Sequence, residues 1–167
     1  MGAGCVVALG RNEAMLQSLE RRLGPRVRTV KLTGDEAEDI RRMKAAAPGP
    51  IDVVLDLLPP WAPSSAVRTA AMTVREYGRI VLMGGVGMLG GDDLALPYPW
   101  LMRNNITLKG QWMYPPSANT LMINLVRAGL LDISTVETTA FPLDQANEAV
   151  AHAAAAGGRF KRTVICP

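Results

Sequence analysis

Two aspartates that lie four residues apart are the first side chains whose spacing suggests chemistry. Asp52 and Asp56 stand at either end of an apolar, β-branched run, 51–56. In a strand, residues i and i+4 point to the same face, and two carboxylates on one face could act as general acid and base. The simpler interpretation makes Asp52 a polar residue at the start of the strand. Only Asp56, at the carboxyl end, is then expected to line a cleft.

Other side chains that could do chemistry are few and scattered. The 167 residues contain two cysteines, Cys5 and Cys166, at opposite ends of the chain, and one histidine, His152. Two cysteines and one histidine cannot complete a structural zinc site without carboxylates, and no Cys-x-x-Cys spacing occurs. No G-x-S-x-G pattern marks a hydrolase nucleophile either. We therefore predict no zinc site and assign no catalytic residue.

The elements that would position these residues alternate along the chain. Short apolar strands are predicted at 5–9, 27–32, 51–56, 79–83, 106–112 and 163–166. Helices are predicted at 12–23, 35–47, 64–74, 119–128 and 144–157, and a long loop at 87–99. Strands that alternate with helices over short connections are typical of a doubly wound α/β sheet. In such a sheet ligands bind at the carboxyl ends of the strands, here near Gly10, Leu57 and Gly84.

Composition excludes several classes of function. On a prior of about 150 residues per domain, residues 1–167 form a single domain. Apolar residues make up 49% of the chain and charged residues 20%, which is ordinary for a globular protein. A net charge of +3 and an aromatic content of 5% make a nucleic-acid partner unexpected. The chain has no stretch of about 20 apolar residues, so we expect no membrane span. We predict a cytoplasmic location, because no signal peptide is evident and cysteines are few.

Six segments, weak singly but specific in their order and spacing, resemble the cofactor-binding domain of the medium-chain dehydrogenase/reductases, the zinc alcohol dehydrogenase superfamily. Together they extend over almost the whole chain. They are 1–11 (MGAGCVVALGR), 51–56 (IDVVLD), 78–85 (GRIVLMGG), 96–99 (LPYP), 105–110 (NITLKG) and 158–164 (GRFKRTV). The resemblance implies a Rossmann-like doubly wound parallel sheet and an oxidoreductase ancestry.

Parts of that family's pattern have no counterpart in these residues. Family members carry an N-terminal catalytic domain that supplies the zinc ligands and most of the substrate pocket. The first Rossmann strand, its glycine-rich turn and the helix after it are also without counterpart, since Met1–Ala3 resembles the end of that helix. A G-x-G-x-x-G does occur at 85–90 (GVGMLG), but it follows a late strand and leads into a predicted loop, whereas the family's turn follows the first strand and leads into a helix. We therefore expect a truncated fold that lacks the first central strand and the glycine-rich loop.

A missing central strand would leave strands 5–9 and 51–56 without their shared neighbour. Each buried backbone group without a hydrogen bond costs about 1–3 kcal/mol. We therefore expect these two strands to pair directly, and the alternative is a strand borrowed from a partner molecule.

The resemblance also implies cofactor-binding positions. Gly10, Arg11 and Asn12 stand where family members contact the adenosine ribose, and NAD-preferring members have an acidic residue there. A glycine followed by Arg11 removes that repulsion and offers a guanidinium fork to a 2′-phosphate. This implies NADP(H), bound weakly without the glycine turn; the plainer interpretation is a solvated turn in which Asn12 caps a helix. The further cofactor-binding positions are Leu57, Gly84, Gly85, Val86 and Arg162.

Arg162 matches a position that often holds the pyrophosphate in relatives, and Arg159 and Lys161 add positive charge beside it. Ordinary solvated charges before a terminal strand would explain these three residues equally well.

Ile106–Trp112 resembles the family's subunit-interface strand, with Lys109 as its gatekeeping charge, so we predict a homodimer through this segment. Two hypotheses stay open: an NADP-linked oxidoreductase module that is inactive as an isolated chain, and a non-catalytic relict that binds a partner or a small molecule.

Overall fold

A computed structural model describes residues 2–158 and 160–167, so Met1 and Arg159 lie outside the described residues. The chain divides into two compact units, one that ends at Tyr114 and one that covers Pro115–Pro167. Each unit is described here by itself, and the single domain over 1–167 stays a prediction. No helix among the described residues is long and apolar enough to cross a membrane.

The first unit alternates strands and helices. In chain order its elements are β1 (Val6–Gly10), α1 (Glu13–Leu23), β2 (Val27–Lys31), α2 (Glu36–Ala46), β3 (Ile51–Asp56), α3 (Ser64–Ala71), β4 (Val74–Leu82), α4 (Tyr98–Arg103) and β5 (Thr107–Gly110). Every strand pair in the unit is parallel. The prediction of a Rossmann-like doubly wound α/β fold is confirmed. Helix α4 was not predicted, because its first two residues, Tyr98 and Pro99, end the proline-containing stretch 87–99 that was predicted as a loop.

Side-chain caps fix the starts of the first two helices. The Asn12 side chain accepts a hydrogen bond from the Met15 amide at 3.0 Å, and Asp35 accepts one from the Glu38 amide at 2.8 Å. Both are among the residues that satisfy free amides at a helix start most effectively. Gly24, with a φ of 74°, ends α1. Since these caps depend only on local sequence, both helices were predicted to within a residue or two.

Strand pairing departs from one expectation. β1 pairs with β2, and β3, β4 and β5 form a separate sheet, so no ladder among the described residues joins β1 to β3. The expected direct pairing of these two strands is wrong. Helix α2 packs on β2 and α3 packs on β3 and β4, while α2 and α3 pack on each other. A helix pair sets a spacing of about 8–10 Å, whereas paired strands need about 4.8 Å.

An ion pair between the two helices supports this spacing. The Arg68 guanidinium of α3 contacts the Glu36 carboxylate of α2 at 3.2 Å. The edge strand β3 leaves Val53 and Leu55 about half exposed, at 51% and 54%. Apolar side chains on a strand that is normally covered on both faces indicate an uncovered surface.

The core of the first unit lies between α3 and the larger sheet. Ala71, Val74 and Ile80 are fully or almost fully buried, and Trp100 and Ile106 pack against them. β4 begins earlier than predicted, at Val74 rather than residue 79. The register with β3 shifts across this stretch, and Tyr77 adopts a φ of 58°. This bulge keeps the chain in the sheet across the irregular part of β4.

The second unit is a smaller α/β arrangement. Its elements are α5 (Ser117–Arg127), β6 (Glu137–Pro142), a 3-10 turn (Leu143–Gln145), α6 (Ala146–Ala156) and β7 (Lys161–Cys166). β6 is parallel to β7. The last helix was predicted to begin at residue 144, but Asp144 lies in the 3-10 turn and α6 begins at Ala146 without a side-chain cap. The His152 ring lies 3.0 Å from the Thr163 hydroxyl and 5.3 Å from the Phe141 ring, so this histidine is a packing residue between α6 and its strands.

Candidate functional site

The first part of the candidate site is the turn between β1 and α1. The Gly10 carbonyl accepts a hydrogen bond from the Leu32 amide at 2.9 Å, which ties the turn to the end of β2. A side chain at position 10 would approach Leu16 of α1 to 3.3 Å, so glycine allows the helix to pack closely on the strand. Asn12 is engaged as the helix cap. Arg11 is exposed and bonds to none of the described residues, which leaves its guanidinium available to an anion.

A second cation lies at the same turn and was not predicted from the sequence. Lys31 is paired in register with Gly10, and its ammonium group lies 3.0 Å from the Glu13 carboxylate. The parallel register of β1 and β2 brings Lys31 close to Glu13 at the start of α1. Because Lys31 and Glu13 are 18 residues apart, no spacing in the sequence signals their contact.

The second part is formed where β3 and β4 end. The Leu58 amide donates to the Asp56 carboxylate at 2.9 Å, and the Gly85 amide donates to the Leu58 carbonyl at 2.8 Å. A Cβ on Gly84 would lie 2.6 Å from an Asp56 carboxylate oxygen. These contacts join Asp56 and Leu58, which flank Leu57, to Gly84 and Gly85 at the carboxyl ends of the two strands.

The two aspartates of this strand have different environments. Asp56 is buried and occupied by the turn that follows β3. Asp52 is exposed and forms an ion pair with Arg75 at 2.6 Å. The arrangement favours the simpler interpretation of the pair over joint acid–base chemistry.

A cavity of about 420 Å³ lies beside the ends of β3 and β4. It is lined by residues 60–65, which lead into α3, and by Val86 with much of the glycine-rich segment that follows β4. Gly87, Gly90 and Gly91 have φ values of 83°, 90° and 123°, a region that favours glycine. The volume falls within the range of small-molecule sites.

Another cavity, of about 330 Å³, lies at the opposite end of β3. None of the predicted site residues lines it. Its walls are formed by Lys44, Gly49, Pro50, Ile51, Thr73, Val74 and Arg75.

Arg162 lies in β7, in the second unit. Its guanidinium donates to the carbonyls of Gly158 at 3.0 Å and Lys161 at 2.8 Å. Arg159, expected to add positive charge beside it, lies outside the described residues. Arg162 therefore belongs to a different unit from the other predicted site residues, and its contribution to an anion site stays a prediction.

The described residues contain no group of three or more His, Cys, Asp or Glu side chains placed to hold a metal ion. What the first unit offers is a free guanidinium, a solvated lysine and backbone turns at the carboxyl ends of its strands. Such groups bind anionic small molecules and position them.

Comparison with known proteins finds likeness in structure only. No protein-family model matches the chain, and no curated protein matches it. Among solved structures, an alcohol dehydrogenase zinc-binding domain protein from Burkholderia ambifaria shares 15% identity and a TM-score of 0.66 over 91% of this chain and 39% of its own. Benzyl alcohol dehydrogenase from Acinetobacter calcoaceticus shares 16% identity and a TM-score of 0.67, over 98% of this chain and 43% of its own.

A third structure, L-idonate 5-dehydrogenase from Escherichia coli, shares 22% identity and a TM-score of 0.63, over 98% of this chain and 43% of its own. This chain therefore spans about two fifths of the length of these dehydrogenases. The resemblance predicted from the sequence is confirmed as a shared fold.

Proposed function

We propose that this chain is the nucleotide-binding part of an oxidoreductase of the medium-chain dehydrogenase type, and that it binds NADP(H) weakly and in preference to NAD(H). The observation that carries the proposal is Arg11. Its guanidinium is exposed and unpaired among the described residues, and it follows Gly10 directly at the carboxyl end of β1. In doubly wound sheets this edge holds the ligand, and a guanidinium binds phosphate through two parallel hydrogen bonds.

The site suits the 2′-phosphate of such a cofactor better than its pyrophosphate. The turn at Gly10–Asn12 presents a free cation and no carboxylate at positions 10 and 11, which suits a 2′-phosphate. For the pyrophosphate, the 167 residues contain no G-x-G-x-x-G turn that leads into a helix. Leu57, Gly84, Gly85 and Val86 would border the remainder of the cofactor. A bound nicotinamide would supply hydride transfer, and the protein would supply binding and orientation.

We expect these residues to bind the cofactor without turning over a substrate by themselves. The proposal includes a homodimer through Ile106–Trp112. Its central part, β5, is the outer strand of its sheet, and all four of its residues are exposed. Trp112, just beyond the strand, is also exposed. Unpaired strand edges with apolar side chains favour pairing with another chain. The cytoplasmic location remains a prediction from cysteine content.

The test is calorimetric titration of the protein with NADPH and with NADH. We expect NADPH to bind about tenfold more tightly, because the phosphate adds charge-assisted hydrogen bonds. Arg11→Ala should remove the difference and leave NADH binding unchanged. The matched control is Arg21→Ala, which removes an exposed arginine from the last turn of α1 and should preserve it. Equal affinity for the two nucleotides would contradict the proposal, and binding of neither would favour a non-catalytic protein that binds another ligand or a partner.

A further inference from the structure

The parallel register of β1 and β2 places a second positive charge beside Arg11. Gly10 and Lys31 are paired across the two strands, so both strands end at the same edge. The Leu32 amide bonds to the Gly10 carbonyl at 2.9 Å and continues the pairing to the turn. Lys31 reaches the first turn of α1, where its ammonium group contacts Glu13 at 3.0 Å. Arg11, two residues before Glu13, belongs to the same turn.

Solvent surrounds the Lys31–Glu13 ion pair. The side chains are 53% and 61% exposed, and exposed ion pairs contribute little to stability. A phosphate carrying nearly two negative charges can compete for the ammonium group, since it attracts both Lys31 and Arg11. Glu13 acts against this binding in two ways: it occupies the ammonium group, and its negative charge repels the phosphate.

We propose that Lys31 is a second residue that recognises the 2′-phosphate, and that Glu13 is the counter-charge that limits its affinity. This inference rests on the proposed function, because it concerns how the same site distinguishes nucleotides with and without a 2′-phosphate. Lys31 determines specificity together with Arg11. Glu13 weakens the preference, since the phosphate must displace its carboxylate.

The experiment uses two probes that differ only in the phosphate, adenosine 2′,5′-bisphosphate and adenosine 5′-monophosphate. Affinities are measured by calorimetry with the complete chain at about 50 mM salt, where screening is weak. Lys31→Gln should weaken binding of the bisphosphate about tenfold and leave the monophosphate unchanged. Glu13→Gln should strengthen binding of the bisphosphate several-fold, and Lys31→Arg should keep the native preference.

Lys44→Gln is the matched control, because Lys44 is an exposed lysine at the end of α2 that lines the cavity at the opposite end of β3. It should leave both affinities unchanged. Circular dichroism checks that each variant retains its helices, and Lys31→Arg keeps the test decisive if the glutamine variant is destabilised.

The outcomes separate this inference from the proposed function. If the native protein binds both probes equally, the proposed function fails. If the native protein prefers the bisphosphate and Arg11→Ala removes the preference, while Lys31→Gln does not change it, only the role of Lys31 is overturned. A loss of bisphosphate affinity in Glu13→Gln would overturn the role of Glu13.

Discussion

Replacing Asp39 with asparagine tests how the turn after β2 is fixed against α2. Asp39 is 2% exposed and accepts three hydrogen bonds. The Thr33 amide and the Thr33 hydroxyl donate to one carboxylate oxygen at 2.8 Å each, and the Gly34 amide donates to the other at 3.0 Å. Burial opposes ionisation of this carboxyl, but the bonds from Thr33 and Gly34 together hold its pKa below the usual value.

Asp39→Asn keeps one oxygen for the Thr33 bonds and presents an NH₂ group to the Gly34 amide. The change removes one bond to a charged acceptor and leaves a buried donor unpaired. We expect a loss of about 2–3 kcal/mol in the free energy of unfolding at pH 7. The matched control is Asp35→Asn, four residues earlier. Asp35 is an exposed helix cap, and asparagine caps a helix equally well, so the control should change stability by less than about 0.5 kcal/mol.

The stability that Asp39 contributes should decrease at acidic pH. A carboxyl with a lowered pKa in the folded protein contributes stability above its ordinary pKa of about 4 and loses it as the pH falls through the folded value. The deficit of Asp39→Asn relative to the native protein should therefore shrink as the pH falls from 7 toward 3. Glu38 stays largely ionised over this range in the folded protein, because hydrogen bonds from Arg41 and Arg42 lower its pKa to about 2, and it is present in both proteins.

Urea denaturation followed by circular dichroism gives both quantities. A deficit at pH 7 no larger than that of Asp35→Asn would refute the hydrogen-bond argument. An equal deficit at pH 7 and near pH 3 would show that the ionised form is not what the three donors stabilise.

Two further predictions concern backbone packing and assembly. Gly84→Ala should destabilise the protein by about 1–3 kcal/mol in the same assay, because the added Cβ would lie 2.6 Å from a carboxylate oxygen of the buried Asp56. The control Gly49→Ala should leave stability unchanged, because a Cβ at position 49 would meet open space. The native chain should be a dimer by light scattering at tens of micromolar, and Leu108→Pro, which removes a donor from the edge strand, should give folded monomers. A monomeric native chain, or a dimer that survives Leu108→Pro, would contradict the interface.

Local signals carried most of the fold prediction. β3 was predicted at its observed bounds, Ile51–Asp56, because a β-branched run between breakers needs no distant information. Asn12 and Asp35 marked their helices through capping. β6, Glu137–Pro142, was missed because its polar, threonine-containing sequence becomes a strand only by pairing with β7, more than 20 residues later.

The features of the site that the sequence could not predict depend on contacts between residues far apart in the chain. The rule that ligands bind at strand ends selected positions near Gly10, Leu57 and Gly84, and ligand binding at these positions stays a prediction. The ion pair between Lys31 and Glu13 depends on strand register, which sequence spacing does not encode. The lack of pairing between β1 and β3 likewise depends on how α2 and α3 pack.

The central claim is that the carboxyl ends of β1, β3 and β4 form the nucleotide-binding surface. Backbone amide shifts of the ¹⁵N-labelled chain, followed by NMR during titration with NADPH, test it most directly. We predict that the amides of Gly10–Asn12, Leu57 and Gly84–Val86 shift together and saturate with one affinity, while those of Lys44 and Ile51, which line the cavity at the other end of β3, do not. Shifts confined to that other cavity, or no shifts at millimolar NADPH, would contradict the claim.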